Sequence, residues 1–423
     1  MIDERLIDKL VERLVDRIEE GNTYILQKIG ESIKKIGTLS PSKAQELGQI
    51  LKYGGNFDKI VEKLAKITDL NIKDIYEIFE EVAKSDYAFA KQFYDYKGVK
   101  YIPYEENIAL QNQVKALANI TANEFVNFSD TRLLGFGWQD EKGNVTFKGL
   151  KDTYERVIDE AVLTVSQGKD TFDNQMYKTI KQLGGGGLKT ISPKTYITKD
   201  KDGNIIEKHY TNRLDSAVRM NMKGALRNLH NETQAVFGEE FGSDGVEISV
   251  HLNPAPDHAE VQGRQFSKEE FAKFQNDQDA VDYTGKLFTK EHEGHDRRSI
   301  SEYNCYHYTF DIVLGVSKPE YSEEELQKII DDNNKGFEYE GNHYSLYDGE
   351  QLLRKIELEL RKSKDIQIMG RASGNKQIVE EAQTRITQLT HKYRDVLKAS
   401  GLKSKLERAR VSSYHRISVA KMK

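Results

Sequence analysis

Ile2, Leu6, Leu10, Leu14 and Ile18 recur every four residues, Val11 and Val15 stand beside them, and charged residues fill the other faces. This spacing predicts an amphipathic helix, and Gly21 is expected to end it. Its apolar stripe must be covered, either by the chain's own domain or by docking on a partner. Ser40-Pro41 and Tyr53-Gly-Gly-Asn56 punctuate the helices that follow. Phe57, Ile60, Val61 and Leu64 mark one of them, and Ile75, Ile78, Phe79 and Val82 the next, so residues 1–100 read as a helical bundle.

Tyr101 to Pro103 marks a junction to a middle domain, residues 101–211. It holds a helix over Ile108–Phe128 and a hairpin over Phe136–Phe147 turning at Lys142-Gly-Asn144, with Trp138 as a packing anchor. Two helices follow, over Leu150–Val165 and Phe172–Leu183. In Gly184 to Gly187 the run lacks the Lys-Ser/Thr that opens a helix after a phosphate-binding loop, because Leu188-Lys-Thr190 leads into Ile191-Ser-Pro193. A flexible joint is expected there instead. Thr195–Tyr210 reads as a second hairpin with Lys201-Asp-Gly-Asn204 at its tip, packed down by Tyr196, Ile197, Ile205 and Ile206.

Residues 212–364 read as an α+β domain. A helix over Arg213–Phe241 leads into a strand in which Val246, Ile248 and Val250 alternate with Glu247, Ser249 and His251, the period of a half-buried strand. Ser322-Glu-Glu-Glu325 opens a helix over Tyr321–Asn333 with a capping box. A hairpin over Phe337–Tyr344 turns at Glu340-Gly-Asn342, and Leu352, Leu353, Ile356 and Leu360 mark another helix. Residues 365–423 hold a long, partly independent helix over Gln377–Leu397 and a basic tail. The fold class is therefore mainly α, an extended multi-helix architecture with a small α+β domain of short strands and hairpins in the C-terminal half.

Composition narrows the function classes. A length of 423 residues suggests two to three domains. No run of about twenty apolar residues predicts a membrane span, and the first residues lack the order of a signal peptide. With one cysteine no internal disulfide forms, which fits a reducing cytoplasm. The net charge of −5 argues against a surface that grips nucleic acid everywhere. The exception is Lys392–Lys423, with ten basic residues against Asp395 and Glu407, a net of +8. Lys403, Lys405, Arg408, Arg410, Arg416, Lys421 and Lys423 are candidates for DNA phosphates. The alternatives are a solvated tail or docking on an acidic protein surface.

Candidate chemistry gathers between Asp244 and Ser317. Pro254 and Pro256 end the strand, so Asp257, His258, Glu260, Gln262 and Gly263 sit on a rigid loop or short helical turn, and Asn304, Cys305 and His307 return to it. His251, Asp257, His258, Cys305 and His307 are ligand-capable, but Cys305-x-His307 is tighter than the usual spacing of a structural zinc site, and there is no second cysteine. Cys305 could also act as a nucleophile with His258 as base. The favoured reading is structural, with no metal and no cofactor. His258 and Gln262 would satisfy backbone groups that the prolines leave without regular partners, Gly263 would relieve the turn, and Asn304 would cap a strand or turn. His292, His295, Arg297 and Arg298, in a spacer with few apolar anchors, are expected in a mobile loop.

The same residues carry a resemblance. Val246-Glu-Ile-Ser-Val-His251, then Pro256-Asp-His-Ala-Glu-Val-Gln-Gly263, then Asn304-Cys-Tyr-His307 and Gly315-Val-Ser317 resemble the phage minor capsid protein 2 family. More distantly they are similar to the Mu F-like head-morphogenesis proteins of tailed phages. Asn212-Arg-Leu-Asp215 upstream and Tyr339-Glu-Gly-Asn-His-Tyr344 downstream extend the likeness, which is judged to cover Tyr104–Lys364. The chain departs from the family pattern at Asn253-Pro-Ala-Pro-Asp257, at Val261 and at Tyr306. The resemblance implies a structural protein, not an enzyme. It would be a minor head protein made in the host cytoplasm and built into the virion near the portal vertex. Portal protein, major capsid or scaffold proteins and, through the tail, genomic DNA would be its partners, with roles in head morphogenesis and DNA packaging or ejection. The competing reading is a metal-dependent hydrolase or nuclease using Asp257, His258, Cys305 and His307.

Overall fold

The computed structural model describes residues 4–98, 100–139, 145–199, 205–293, 295–300, 305, 307–411 and 413–415. Its first helix, α1 (Glu4–Gly37), does not stop at Gly21. A Cβ on Gly21 would lie 3.2 Å from both Leu64 and Ile67, so this glycine marks a close approach between helices instead of a terminus. The stripe simply continues: Leu10, Val11, Leu14, Val15 and Ile18 are buried, and so are Ile25, Leu26, Ile29, Ile33 and Ile36. The chain itself covers this face.

Around α1 stand α2 (Pro41–Tyr53), α3 (Asn56–Lys97) and α4 (Ile108–Ser129), the last capped by Asn107, whose side chain accepts from the Leu110 amide. Strands β1 (Leu134–Gln139) and β2 (Val145–Gly149) form the first expected hairpin, whose turn lies outside the described residues. Helices α5 (Leu150–Val165) and α6 (Lys169–Gly186) follow, then β3 (Lys189–Lys199) and β4 (Ile205–Arg213), and then α7 (Leu214–Phe241). The two hairpins are joined by pairing of Leu134 with Thr190 and of Gly135 with Lys189, giving an antiparallel sheet in the order β2-β1-β3-β4. The outer end of β3/β4 runs past this junction as a two-stranded ribbon. Ile197 and Ile205 are accordingly 77% and 74% exposed and do not pack it down, while the side chains of Tyr196 and Ile206 lie outside those described. Trp138 is an anchor: it is buried, donates to the Thr153 hydroxyl at 3.3 Å and carries Arg156 over its ring.

Gly184 to Gly186 form the last turn of α6 and do not act as a flexible joint. One hydrophobic cluster gathers these elements, with side chains from Ile7 to Phe237 joined by Met369 and Ile378. Charge is buried within it. Arg213, at the start of α7, donates to Asp215 (3.1 Å), to Asp365 (3.0 Å) and to Glu19 (3.4 Å), and Arg361 pairs with the same Asp215.

The C-terminal half begins with β5 (Gly245–Ile248), α8 (Pro256–Ala259), β6 (Gln265–Ser267) and α9 (Lys268–Gln275). Short hairpins β7 (Ala280–Val281) with β8 (Leu287–Phe288) and β9 (Glu291–His292) with β10 (His295–Asp296) precede β11 (Thr309–Ile312). β5 lies between β11 and β6, and all four of its residues are buried, not alternate ones. Ile248 packs with Val261, Phe266, Phe288 and Ile300 on one side. On the other, Glu247 accepts from Gln265 at 2.7 Å and from the Glu320 amide, so a polar position is enclosed as well.

α10 (Glu323–Lys335) has the expected capping box of Ser322 and Glu325, and β12 (Phe337–Tyr339) pairs with β13 (Asn342–Tyr344). α11 (Leu346–Ser373) and α12 (Lys376–Ser400) form a helical hairpin turning at Gly374-Asn375. α12 is not independent, since Ile386, Leu389, Tyr393 and Val396 share a core with Leu353, Ile356 and Leu360 of α11. No helix among the described residues is long and apolar enough to cross a membrane.

α1 is tied to α7 by Glu12, whose carboxylate accepts from Arg219 at 2.7 and 2.9 Å. Burial raises the Glu12 pKa, but Arg219 and the more distant Arg408 and Lys223 outweigh it and hold it below its ordinary 4.5. A depressed carboxylate stabilises the fold above its unfolded value and loses that contribution as pH falls through the lower folded value. Glu12→Gln should therefore flatten the part of the acid-unfolding curve below about pH 4.5. Urea midpoints measured between neutral and acid pH check this, and parallel curves for the two proteins would refute it.

Candidate functional site

The loop after β5 is braced before any side chain meets another. Pro256 opens α8, Gly263 has φ +70°, and a Cβ there would press on Leu326 at 2.5 Å. The Gly263 amide donates to the Ile248 carbonyl, closing residues 248–263 into a loop. This places His258 and Gln262 in the interior, at 1% exposure each, and Cys305 and His307 arrive beside them on the segment that leads into β11.

Cys305 Sγ lies 3.6 Å from His258 Nδ1 and 3.5 Å from His307 Nδ1. His258 Nε2 is 2.9 Å from the Arg298 carbonyl, and His307 Nε2 is 3.2 Å from Gln262 Oε1. The same amide oxygen accepts from the His251 backbone N–H at 2.8 Å, which fixes the orientation of Gln262. The His251 ring stands with its centroid 4.4 Å from that of His307. Asp257 receives both arms of Arg298 at 2.7 Å, the Asp257 carbonyl accepts from Arg297 at 2.6 Å, and Arg227 donates to the Cys305 carbonyl. Glu260 stands at the rim, its carboxylate 3.7 Å from Arg297.

Electrostatics separate the two buried imidazoles. Burial opposes a charged His258, but Cys305, Asp257 and the Arg298 carbonyl outweigh it and raise its pKa above the ordinary value. His307 is held well below the ordinary value by burial and by His251, His258, Arg298 and Arg227 around it. For Asp257 burial is outweighed by Arg298 and His258, so it stays below the usual carboxylate range.

His258, Cys305 and His307 are thus brought together as the sequence suggested, and His258 and Gln262 do engage backbone groups. Asn304 lies outside the described residues. The spacer is not a mobile loop around Arg297 and Arg298: Arg297 is 6% exposed, and Ile300 is buried in the same small core as Phe288. Forty residues separate these arginines from Asp257, and no periodicity announces such a pairing. Asp257 itself is spent on Arg298 and stands 3.8 Å from His258 Nε2, so the group that orients His258 is a backbone carbonyl, not a carboxylate.

The basic tail meets acid within the chain. Arg408 lies 3.9 Å from Asp8, Arg410 lies 3.8 Å from Asp16, and Lys405 lies 3.8 Å from Glu350. Asp8, Asp16, Arg408 and Arg410 line a cleft of about 690 Å³ between α1 and the tail, together with Glu12, Arg13 and Glu20. Lys403 is exposed, while Arg416, Lys421 and Lys423 lie outside the described residues.

A family model described as phage minor capsid protein 2 matches residues 2–398. The chain belongs to that family. The match widens the span read from the motifs at both ends and takes in α1 and the helical hairpin of α11 and α12. No curated protein and no solved structure matches the chain. As a phage minor capsid protein 2 member it is a structural protein of the virion and works among other phage head proteins. A hydrolase or nuclease built on the Cys305 corner is not favoured by that membership.

Proposed function

We propose that this phage minor capsid protein is a portal-proximal component of a tailed-phage head, added in the host cytoplasm during head morphogenesis, and that it is not an enzyme. The observation that carries this reading is the family match over nearly the whole chain. Two physical features support it. The Cys305 corner is enclosed and committed to backbone partners, as a brace requires. The chain also exposes 22203 Å² for 48.5 kDa, about a third more than the roughly 17,000 Å² of a compact monomer of that mass. Such surface suits a protein that packs among neighbours, with portal and major capsid or scaffold proteins as its partners. Mass spectrometry of purified mature particles should find the chain, and co-expression should recover it on portal rings. Its absence from particles would overturn the assignment.

The tail is assigned to genomic DNA, in packaging or ejection, through Lys403, Lys405, Arg408, Arg410, Arg416, Lys421 and Lys423. The acidic partners of α1 then compete with phosphate for Arg408 and Arg410. For about four phosphate contacts, affinity for duplex DNA should fall about a hundredfold between 50 and 200 mM salt. Asp8→Asn with Asp16→Asn should tighten binding by releasing both arginines. Fluorescence anisotropy reads both effects, and salt-independent affinity would refute the phosphate contact.

A further inference from the structure

We propose that His258, Cys305 and His307 bind a zinc ion, a tetrahedral structural site that fastens the loop after β5 to the segment entering β11. Zinc holds sulfur at about 2.3 Å and imidazole nitrogen at about 2.0–2.1 Å, so tetrahedral angles set the sulfur-to-nitrogen distance at about 3.5–3.6 Å. The two observed distances are 3.6 and 3.5 Å. All three ligand atoms lie within 4.8 Å of one another, and tetrahedral zinc with these bond lengths requires the two nitrogens at about 3.3–3.4 Å, so binding sets the two rings at that spacing.

Proton positions lead to the same conclusion. The Arg298 carbonyl can only accept, so His258 carries its proton on Nε2. Gln262 Oε1 already accepts from the His251 amide, which turns its oxygen, not its NH2, toward His307, so that ring too carries its proton on Nε2. With those protons on Nε2, both rings turn Nδ1 toward one sulfur. A thiol has one proton and satisfies one of them. A divalent cation satisfies all three atoms at once: Cys305 releases its proton to solvent and binds as thiolate. Arg298 and Gln262 are placed as the outer partners that fix ring orientation in metal–histidine sites. The fourth position is left to a water. The site stands on this geometry whether or not the chain meets DNA or a portal.

The test uses the full-length reduced protein. Elemental analysis should find about one zinc per chain, and replacing zinc by Co²⁺ should give a sulfur-to-cobalt charge-transfer band in the near ultraviolet. Cys305→Ser and His307→Gln should abolish both signals, and Gln262→Leu should weaken zinc affinity about 10–100-fold in a chelator competition. The absence of the cobalt band in the unmodified chain would overturn the site without reference to any variant. Zinc content unchanged by Cys305→Ser would overturn it equally, leaving a hydrogen-bonded Cys–His cluster.

Discussion

Arg213→Ala is expected to cost about 3–5 kcal/mol, the penalty for removing one partner of a buried ion pair and leaving the other charges behind. Arg213 is 7% exposed, and Glu19 and Asp365, which it bridges, are buried on α1 and α11. Three helices distant in sequence therefore meet at one guanidinium, and its removal strands two carboxylates in the core. Burial already raises the pKa of both, against the pull of Arg213 and Arg361. Without Arg213 they rise further. A carboxyl whose folded pKa is raised favours the fold while protonated and loses that contribution as pH rises through the folded value. The deficit of the variant should therefore be smaller in acid and grow toward neutral pH. Denaturant midpoints at two pH values read this directly. Lys73→Ala, which removes an exposed pair with Glu77 at 3.9 Å, should leave the midpoint unchanged. If Arg213→Ala behaved like that control, the buried network would not exist in solution.

Arg213 shows what a sequence can and cannot disclose. Asn212-Arg-Leu-Asp215 stood out as a pattern, but nothing local revealed that its arginine would reach residues 19 and 365. The legible features were those carried by short-range physics. The stripe of α1, the Ser322 cap and the paired runs around residues 140, 202 and 340 all follow from neighbours within a few positions. Features set by distant approaches were read wrongly, as with Gly21, the enclosure of Glu247 and the docking of α12. The candidate site was legible in its inner members because prolines, histidines and a lone cysteine are conspicuous. Its outer members were not, since Arg297 and Arg298 read as ordinary loop cations until folding places Asp257 against them.

The glycine run that ends α6 provides the sharpest case of this kind. If Gly184, Gly185 and Gly186 served as a joint, alanine at any of them would act alike, removing freedom from the unfolded chain and improving helix propensity by up to about 1 kcal/mol. The packing says otherwise. A Cβ on Gly184 would sit 2.7 Å from the Ile366 Cα and 2.9 Å from its amide nitrogen, so the backbone of α11 itself would have to move. A Cβ on Gly186 meets nothing within 4 Å. α11 is also held closely by Gly30 of α1, where a Cβ would come 2.7 Å from the Ala372 Cβ, so a shift of the helix is resisted at a second close contact. Gly184→Ala should then be less stable than Gly186→Ala by about 1–3 kcal/mol, the usual cost of overpacking, with Gly184→Val at the upper end. The shared propensity gain cancels in the difference, which isolates the steric contact. Equal midpoints for the two alanine variants would restore the flexible joint and detach α11 from α6.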